Sequence, residues 1–560
     1  MPLNGVQAML QMLADSGVRY LFGNPGTTEL PLMDALAAPS RIKYVLGLQE
    51  IPVMAMADGY AQAARATAVV NLHISCGLGN AMGMLYNAWR GGTPLVVTAG
   101  QQDRRMMFEE PILWGDMVSV ARPWTKWAAE VSRVEDLPVA VRRAVQTAMM
   151  PPTGPVFLSL PLDVQMAAAE GLDLTPPCLP DEHVRPPTAA VCRAAAVLAA
   201  ARNPGILVGS RVTEAGAVDA LVAVAERLGA PVIHEGVVTH GRCSFPPQHP
   251  LAAGLLPFWS PQVREYLAEF DVLLAVGVKL LQQYIYHEPS RAVPESTRLV
   301  HIDDAAWEIG KNYAVEVGLI GHPRPALEEL DAALTKAISR EQAEAARRRG
   351  QARAAAIHRG REAIRARAEA ERDARPLTPH ALMEAVARIL PDDVAVIDES
   401  PTTSHCYFEL TGALANTSGY FAHRGWALGW GLGCAIGVKL AWPERPVLAL
   451  LGDGSAMYGI QGLWTAAHYR IPVTFLITNN SEYRILKDCA GVLKLPQAAA
   501  GRYRGLDLTD PAIDFIGLAR SLGVAARRVS EPDDVAQAVR ESLQADEPRL
   551  IEVPVKAPRD

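Results

Sequence analysis

The sequence predicts an α/β protein built as three successive blocks, each around a parallel sheet. Two observations carry this. Short apolar runs bounded by turn residues alternate with helical patterns along nearly the whole chain, as in strands joined by helical crossovers. At 560 residues the chain is also too long for one domain, and at about 150 residues per domain it holds three or four. Hydrophobic residues make up 49%, enough for several buried cores and enough to exclude wholesale disorder.

The first block, 1–173, opens with an amphipathic helix and then carries the apolar runs 20–22, 68–72, 94–99 and 155–159. The proline-rich stretch LTPPCLPDEHVRPP makes 174–187 a linker. A middle block, 188–335, repeats the rhythm with runs at 205–209, 231–234, 272–276 and 298–302. Residues 336–375 differ in character. Eleven arginines and six acids lie between 340 and 375 among many alanines, and their interleaving predicts a solvated connecting helix rather than a basic patch for nucleic acid. Pro376 and Pro379 open the last block, 376–560, with runs at 394–397, 447–451, 473–478 and 550–553.

Charge and cysteines narrow the class. Lys and Arg total 53 against 60 Asp and Glu, and a net charge of −7 argues against a nucleic-acid partner. Seven cysteines, an odd and scattered number without a CxxC pair, fit neither a disulfide framework nor a zinc cluster and point to a reducing compartment. The start of the chain lacks the pattern of a signal peptide. The apolar stretch 426–442, rich in glycine and alanine, reads as a close-packed buried segment and not as a membrane span. A cytoplasmic protein is expected.

The sharpest chemical signal is VLALLGDGSAMYGIQGLWTAAHYRIPVTFLITNN, which reads as strand, turn, helix, strand. It puts Asp453 at the C-terminal end of one strand and Asn480 at the end of the next. A right-handed crossover brings such ends side by side, at the edge where open α/β sheets bind ligands. A carboxylate and a carboxamide oxygen are hard donors suited to Mg²⁺, which also takes phosphate oxygens. Gly452 and Gly454 allow a tight turn, and the amides after Asp453 can meet an anion. A bare Gly-Asp-Gly is often only a turn; here an Asn-Asn doublet closes a 29-residue span at the matching strand end.

The span 452–480 resembles the cofactor motif of thiamine diphosphate-dependent enzymes, which begins GDG and ends NN. The resemblance implies three domains with doubly wound parallel sheets, pyrimidine-binding, middle and diphosphate-binding. It further implies that Asp453, Asn480 and the carbonyl of Glu482 hold Mg²⁺, and that Gly454, Ser455, Tyr483 and Thr402 lie against the cofactor's phosphates. In YVLGLQEIPVMAMADGYAQAA, Glu50 opens a helix, where an acid alone is most simply a macrodipole partner. Decarboxylases of the family carry a glutamate in this setting followed by ADGYA. Its carboxylate hydrogen-bonds the aminopyrimidine ring and favours the imino tautomer that removes the thiazolium C2 proton.

FGNPGTTELP (22–31), NLHISCGLGNAMG (71–83) and LVVTAGQQ (95–102) are similar to benzoylformate decarboxylases, and the similarity runs along nearly the whole chain. By that resemblance Thr27 stands where a serine hydroxyl contacts substrate, and His73 is an acid–base group; taken alone, a histidine at a strand end reads as structural. Acetolactate synthases have no histidine there. Leu428 stands where the family places an aliphatic residue under the cofactor's bend, and Trp426 stands where glycine is usual.

Departures concern the substrate. A second family histidine aligns with Ile285 in QYIYHEP, and the nearest histidine is His287. His423, Arg424, Arg484 and Lys487 add polar groups, read either as surface charge or as a pocket for a second anionic group. The expected reaction is Mg²⁺- and thiamine diphosphate-dependent decarboxylation of a 2-oxo acid to an aldehyde, with acyloin formation when an aldehyde acceptor is present. The alternatives are an acetolactate synthase-like carboligase and a non-catalytic cofactor-binding homologue. Glu50 and Asp453 are expected to serve one site from two chains, in a homodimer or homotetramer.

Overall fold

The computed structural model describes residues 2–236, 241–282, 284–288 and 291–556. Three sheets of six parallel strands organise the chain. The first runs, edge to edge, Lys43–Leu46, Tyr20–Gly23, Ala68–Leu72, Leu95–Gln101, Val156–Pro161 and Ala128–Glu130. The third runs Tyr420–Ala422, Ala395–Glu399, Val447–Gly452, Thr474–Asn479, Arg549–Pro554 and Ala525–Arg528. Numbered within each sheet, both have the order 2-1-3-4-6-5. The middle sheet differs: Ala252–Leu255, Val232–His234, Pro204–Val208, Val272–Val276, Arg298–Asp303 and Val317–Ile320, in the order 3-2-1-4-5-6.

The central strands form for a simple reason. Ala68–Leu72, Pro204–Val208 and Val272–Val276 are buried along their whole length, as in sheets covered by helices on both faces. Helix ends are set locally. Asn4 and Gln7 cap the opening helix Gly5–Asp15 reciprocally, and Gly92 ends Ile74–Gly91 at φ +68°.

The first and third units pack through two helices, Glu50–Ala64 and Trp430–Ala441. Glycines let their backbones touch: a Cβ at Gly437 would lie 1.9 Å from the Met56 carbonyl oxygen, and one at Gly59 would lie 2.3 Å from that of Cys434. The stretch read as close-packed is therefore the buried helix Trp430–Ala441, and no helix among the described residues is long and apolar enough to cross a membrane. Residues 340–370 form one helix. Its arginines are not simply solvated: Arg353 pairs with Glu269 at 2.9 Å, and Arg361 and Arg365 donate to the carbonyls of Pro247 and Thr411, both at 2.6 Å.

Candidate active site

At the C-terminal edge of the first sheet, Glu50 is the first residue of its helix and is 5% exposed. The Asn80 amide donates to its Oε2 at 3.0 Å, and Asn24 approaches Oε1 at 3.5 Å. His73 sits one position past the strand Ala68–Leu72 and precedes the helix Ile74–Gly91. Its Nδ1 lies 2.8 Å from Oε2 of the buried Glu29. Glu50 and His73 border one space: a Cβ on Gly77 would lie 3.2 Å from Glu50 Oε1 and 3.3 Å from His73 Cβ. Thr27 begins the turn Thr27–Glu29 and is exposed.

At the same edge of the third sheet, the strands Val447–Gly452 and Thr474–Asn479 pair in parallel, so Asp453 and Asn480 leave adjacent strand ends. Asp453 Oδ2 accepts from the Ser481 amide at 2.7 Å and Oδ1 from that of Gly454 at 2.9 Å. Burial lifts its carboxyl to about 6. Asn480 Oδ1 accepts from the Glu482 amide at 3.0 Å. The two glycines act differently from the sequence-based expectation of a tight turn. Gly452 has φ −69°, open to any residue. Gly454 is needed for space, since a Cβ there would fall 2.6 Å from Tyr483 Cε1. The Ser455 hydroxyl lies 3.0 Å from the carbonyls of both Glu399 and Gly452, and Thr402 is half-buried in the turn after Ala395–Glu399.

Trp426 and Leu428 lie in the loop before Trp430–Ala441. Trp426 adopts φ +63°, a conformation glycine takes without strain, which is the physical sense of a usual glycine there. Its ring packs on Tyr284 and on His423. Burial pulls His423 down to about 4, so it is neutral near pH 7. Tyr284 brings the segment 284–288 over this loop. His287 Nδ1 is buried without a hydrogen-bond partner among the described residues.

The three candidate substrate cations all have protein partners. Arg424 pairs with Glu214 of the middle domain, bordering a cavity of about 280 Å³ at the junction of all three domains. Arg484 bonds Asp488 at 2.7 Å, and Lys487 pairs with Glu482 and, at 2.6 Å, with Asp507. Sequence reasoning missed Glu29, Asn80 and Tyr284, whose partners are remote in the chain.

A second buried group, His234, Cys243 and Glu409, has a metal-like donor set. The Ser244 amide donates to His234 Nε2 at 3.0 Å, so in the neutral ring the proton sits on Nδ1, the atom facing Glu409 at 3.5 Å. A nitrogen carrying a proton offers no lone pair to a metal.

Two ligand-binding edges on sheets of identical order, joined to a middle sheet, define a cofactor enzyme of three α/β domains. The chain belongs to the thiamine pyrophosphate enzymes. The family's N-terminal TPP-binding domain matches residues 3–110, its central domain 191–330 and its C-terminal TPP-binding domain 409–553. The benzoylformate decarboxylase of Pseudomonas aeruginosa is 34% identical over 98% of both chains. The acetolactate synthase isozyme 3 large subunit of Escherichia coli is 28% identical, over 97% of this chain and 92% of that one. Among solved structures, Polynucleobacter necessarius benzoylformate decarboxylase superposes with a TM-score of 0.86 at 29% identity. A thiamine diphosphate-dependent 4-hydroxybenzoylformate decarboxylase of Rhodococcus jostii RHA1 gives 0.85 at 31%; both comparisons cover the whole of each chain.

Proposed function

We propose that the protein decarboxylates an aryl 2-oxo acid of the benzoylformate type to the aldehyde, using thiamine diphosphate and Mg²⁺. The observation that carries this is the shared space of Glu50 and His73, one carboxylate for the cofactor and one imidazole for the substrate. Asp453, Asn480 and the Glu482 carbonyl are hard oxygen donors that fit Mg²⁺, and Gly454, Ser455, Tyr483 and Thr402 are the candidates to hold the cofactor's phosphates beside it. When bound, thiamine diphosphate supplies a C2 carbanion and an electron sink for the bond to CO₂. Glu50 holds and moves a proton at the pyrimidine, Thr27 orients the carboxylate, and His73 transfers a proton at the 2-oxo oxygen. Leu428 supports the cofactor's bend.

The aromatic surface of Trp426, Tyr284 and Phe258 favours a phenyl side chain over a second carboxylate, because Arg424, Arg484 and Lys487 are already paired. His287 is the candidate for a second acid–base group. An aldehyde entering the same space would be joined to the acyl group as an acyloin. By the family reading, Glu50 and Asp453 serve one site from two chains of a homodimer or homotetramer. Seven free cysteines support a cytoplasmic location.

Glu50→Gln tests the reading. Turnover should fall by about 10²- to 10⁴-fold while thiamine diphosphate affinity and thermal stability stay close to wild type; undiminished turnover would overturn it.

A further inference from the structure

We propose that Glu29 is a positioning residue for His73, holding the imidazole by Nδ1 so that Nε2 is the nitrogen presented to substrate. The proposal rests on the decarboxylase reading above.

Glu29 ends the turn Thr27–Glu29 and is 1% exposed. Its neighbours converge on it as donors. The Gly26 amide reaches Oε2 at 3.0 Å, beside His73 Nδ1 at 2.8 Å. The Gly100 amide and the Thr28 hydroxyl reach Oε1 at 2.8 Å, and the Ile74 amide does so at 3.4 Å. With amides and a hydroxyl donating to both oxygens, the carboxyl is held as an acceptor, and the hydrogen shared with the ring sits on Nδ1.

The surroundings are shaped for this contact. A Cβ on Gly26 would lie 1.9 Å from His73 Nδ1, and one on Gly100 would lie 2.4 Å from Glu29 Oε1. Both positions need glycine for room. Ile74, next to His73, has φ +34°, an outlier for a β-branched residue. Backbone strain of that kind persists where surrounding bonds over-determine it; here the Ile74 amide points to Glu29 and the Gly77 amide donates to the His73 carbonyl at 2.6 Å.

When Nε2 takes a proton, the ring becomes a cation 2.8 Å from the Glu29 carboxylate, an attraction of opposite charges that Glu29→Gln would remove. Nε2 gains and loses that single proton, while Glu29 fixes the ring's orientation and tautomer. Partners that orient metal-bound histidines from behind are worth about 10–100-fold in function, and the same scale is taken for Glu29.

The test compares Glu29→Gln, Glu29→Asp, His73→Ala and the double variant Glu29→Gln/His73→Ala. Decarboxylation is followed as kcat/KM against pH, with thiamine diphosphate affinity measured beside it. The expected result is a loss of about 10²-fold in E29Q, with a pH profile that differs from that of the wild type. Cofactor affinity should hold, E29D should recover part of the rate, and the double variant should be no slower than H73A. A wild-type rate and profile in E29Q would overturn the proposal, as would a full further loss in the double variant. If E29Q does not fold, E29D decides, and an unmoved profile with only lowered stability overturns the proposal. ¹⁵N shifts of the histidine ring give a readout independent of turnover. Protonation at Nδ1 in the wild type supports the contact even if no 2-oxo acid is decarboxylated, an outcome that would remove the decarboxylase reading alone; protonation at Nε2 overturns it.

Discussion

The rings of Tyr284 and Trp426 stack with centroids 5.9 Å apart and planes at 27°. This contact ties the middle domain to the loop that carries Leu428. Phe258 continues the aromatic surface, 5.6 Å from Tyr284. Trp426 pays in backbone strain for its place: a left-handed conformation costs a non-glycine residue of order 1–3 kcal/mol.

Trp426→Gly removes strain and stack together. The ratio of kcat/KM for benzoylformate to that for pyruvate should fall at least about tenfold, the scale on which apolar pocket contacts discriminate. An unchanged ratio would take Trp426 out of the substrate pocket.

Gly26→Ala tests the spacing behind His73. At φ −133° the backbone accepts alanine, but the new methyl would displace the imidazole. Steady-state kinetics should show kcat/KM about 10²-fold lower, the scale of a misplacement near 1 Å, with thiamine diphosphate affinity retained. Wild-type kinetics would contradict the placement of His73 against Gly26.

His423 sets a pH dependence. Its folded value is about 4, below the ordinary value of 6.5. Between these the unfolded chain takes a proton that the folded protein refuses. Stability is therefore fully present above about pH 6.5 and declines toward pH 4, by about 1.4 kcal/mol per unit. Melting curves at pH 7 and pH 5 should show a smaller loss in His423→Phe than in wild type.

What the sequence revealed and what it hid have physical causes. Interior strands such as Val272–Val276 are continuous apolar runs because both faces are covered. The edge strands Ala128–Glu130, Val317–Ile320 and Ala525–Arg528 are short and partly solvated, and their composition does not separate them from loops. Alternation of strands and helices could not distinguish the order 3-2-1-4-5-6 of the middle sheet from that of its neighbours. Asp453 and Asn480 were legible because both follow buried strands within one crossover. Glu29 was not, since its partner His73 lies 44 residues away and an acid in a short turn looks ordinary. Arg424 read either as surface charge or as a substrate cation because nothing local betrays Glu214, 210 residues distant.

The central claim is tested most directly by CO₂ release from a panel of 2-oxo acids, with thiamine diphosphate and Mg²⁺ added and with or without an aldehyde acceptor. The account predicts fastest release from benzoylformate or a ring-substituted relative, without need of an acceptor, and little from dicarboxylic acids such as 2-oxoglutarate. Preference for a dicarboxylic acid, release only when an acceptor is present, or no release from any member would contradict it.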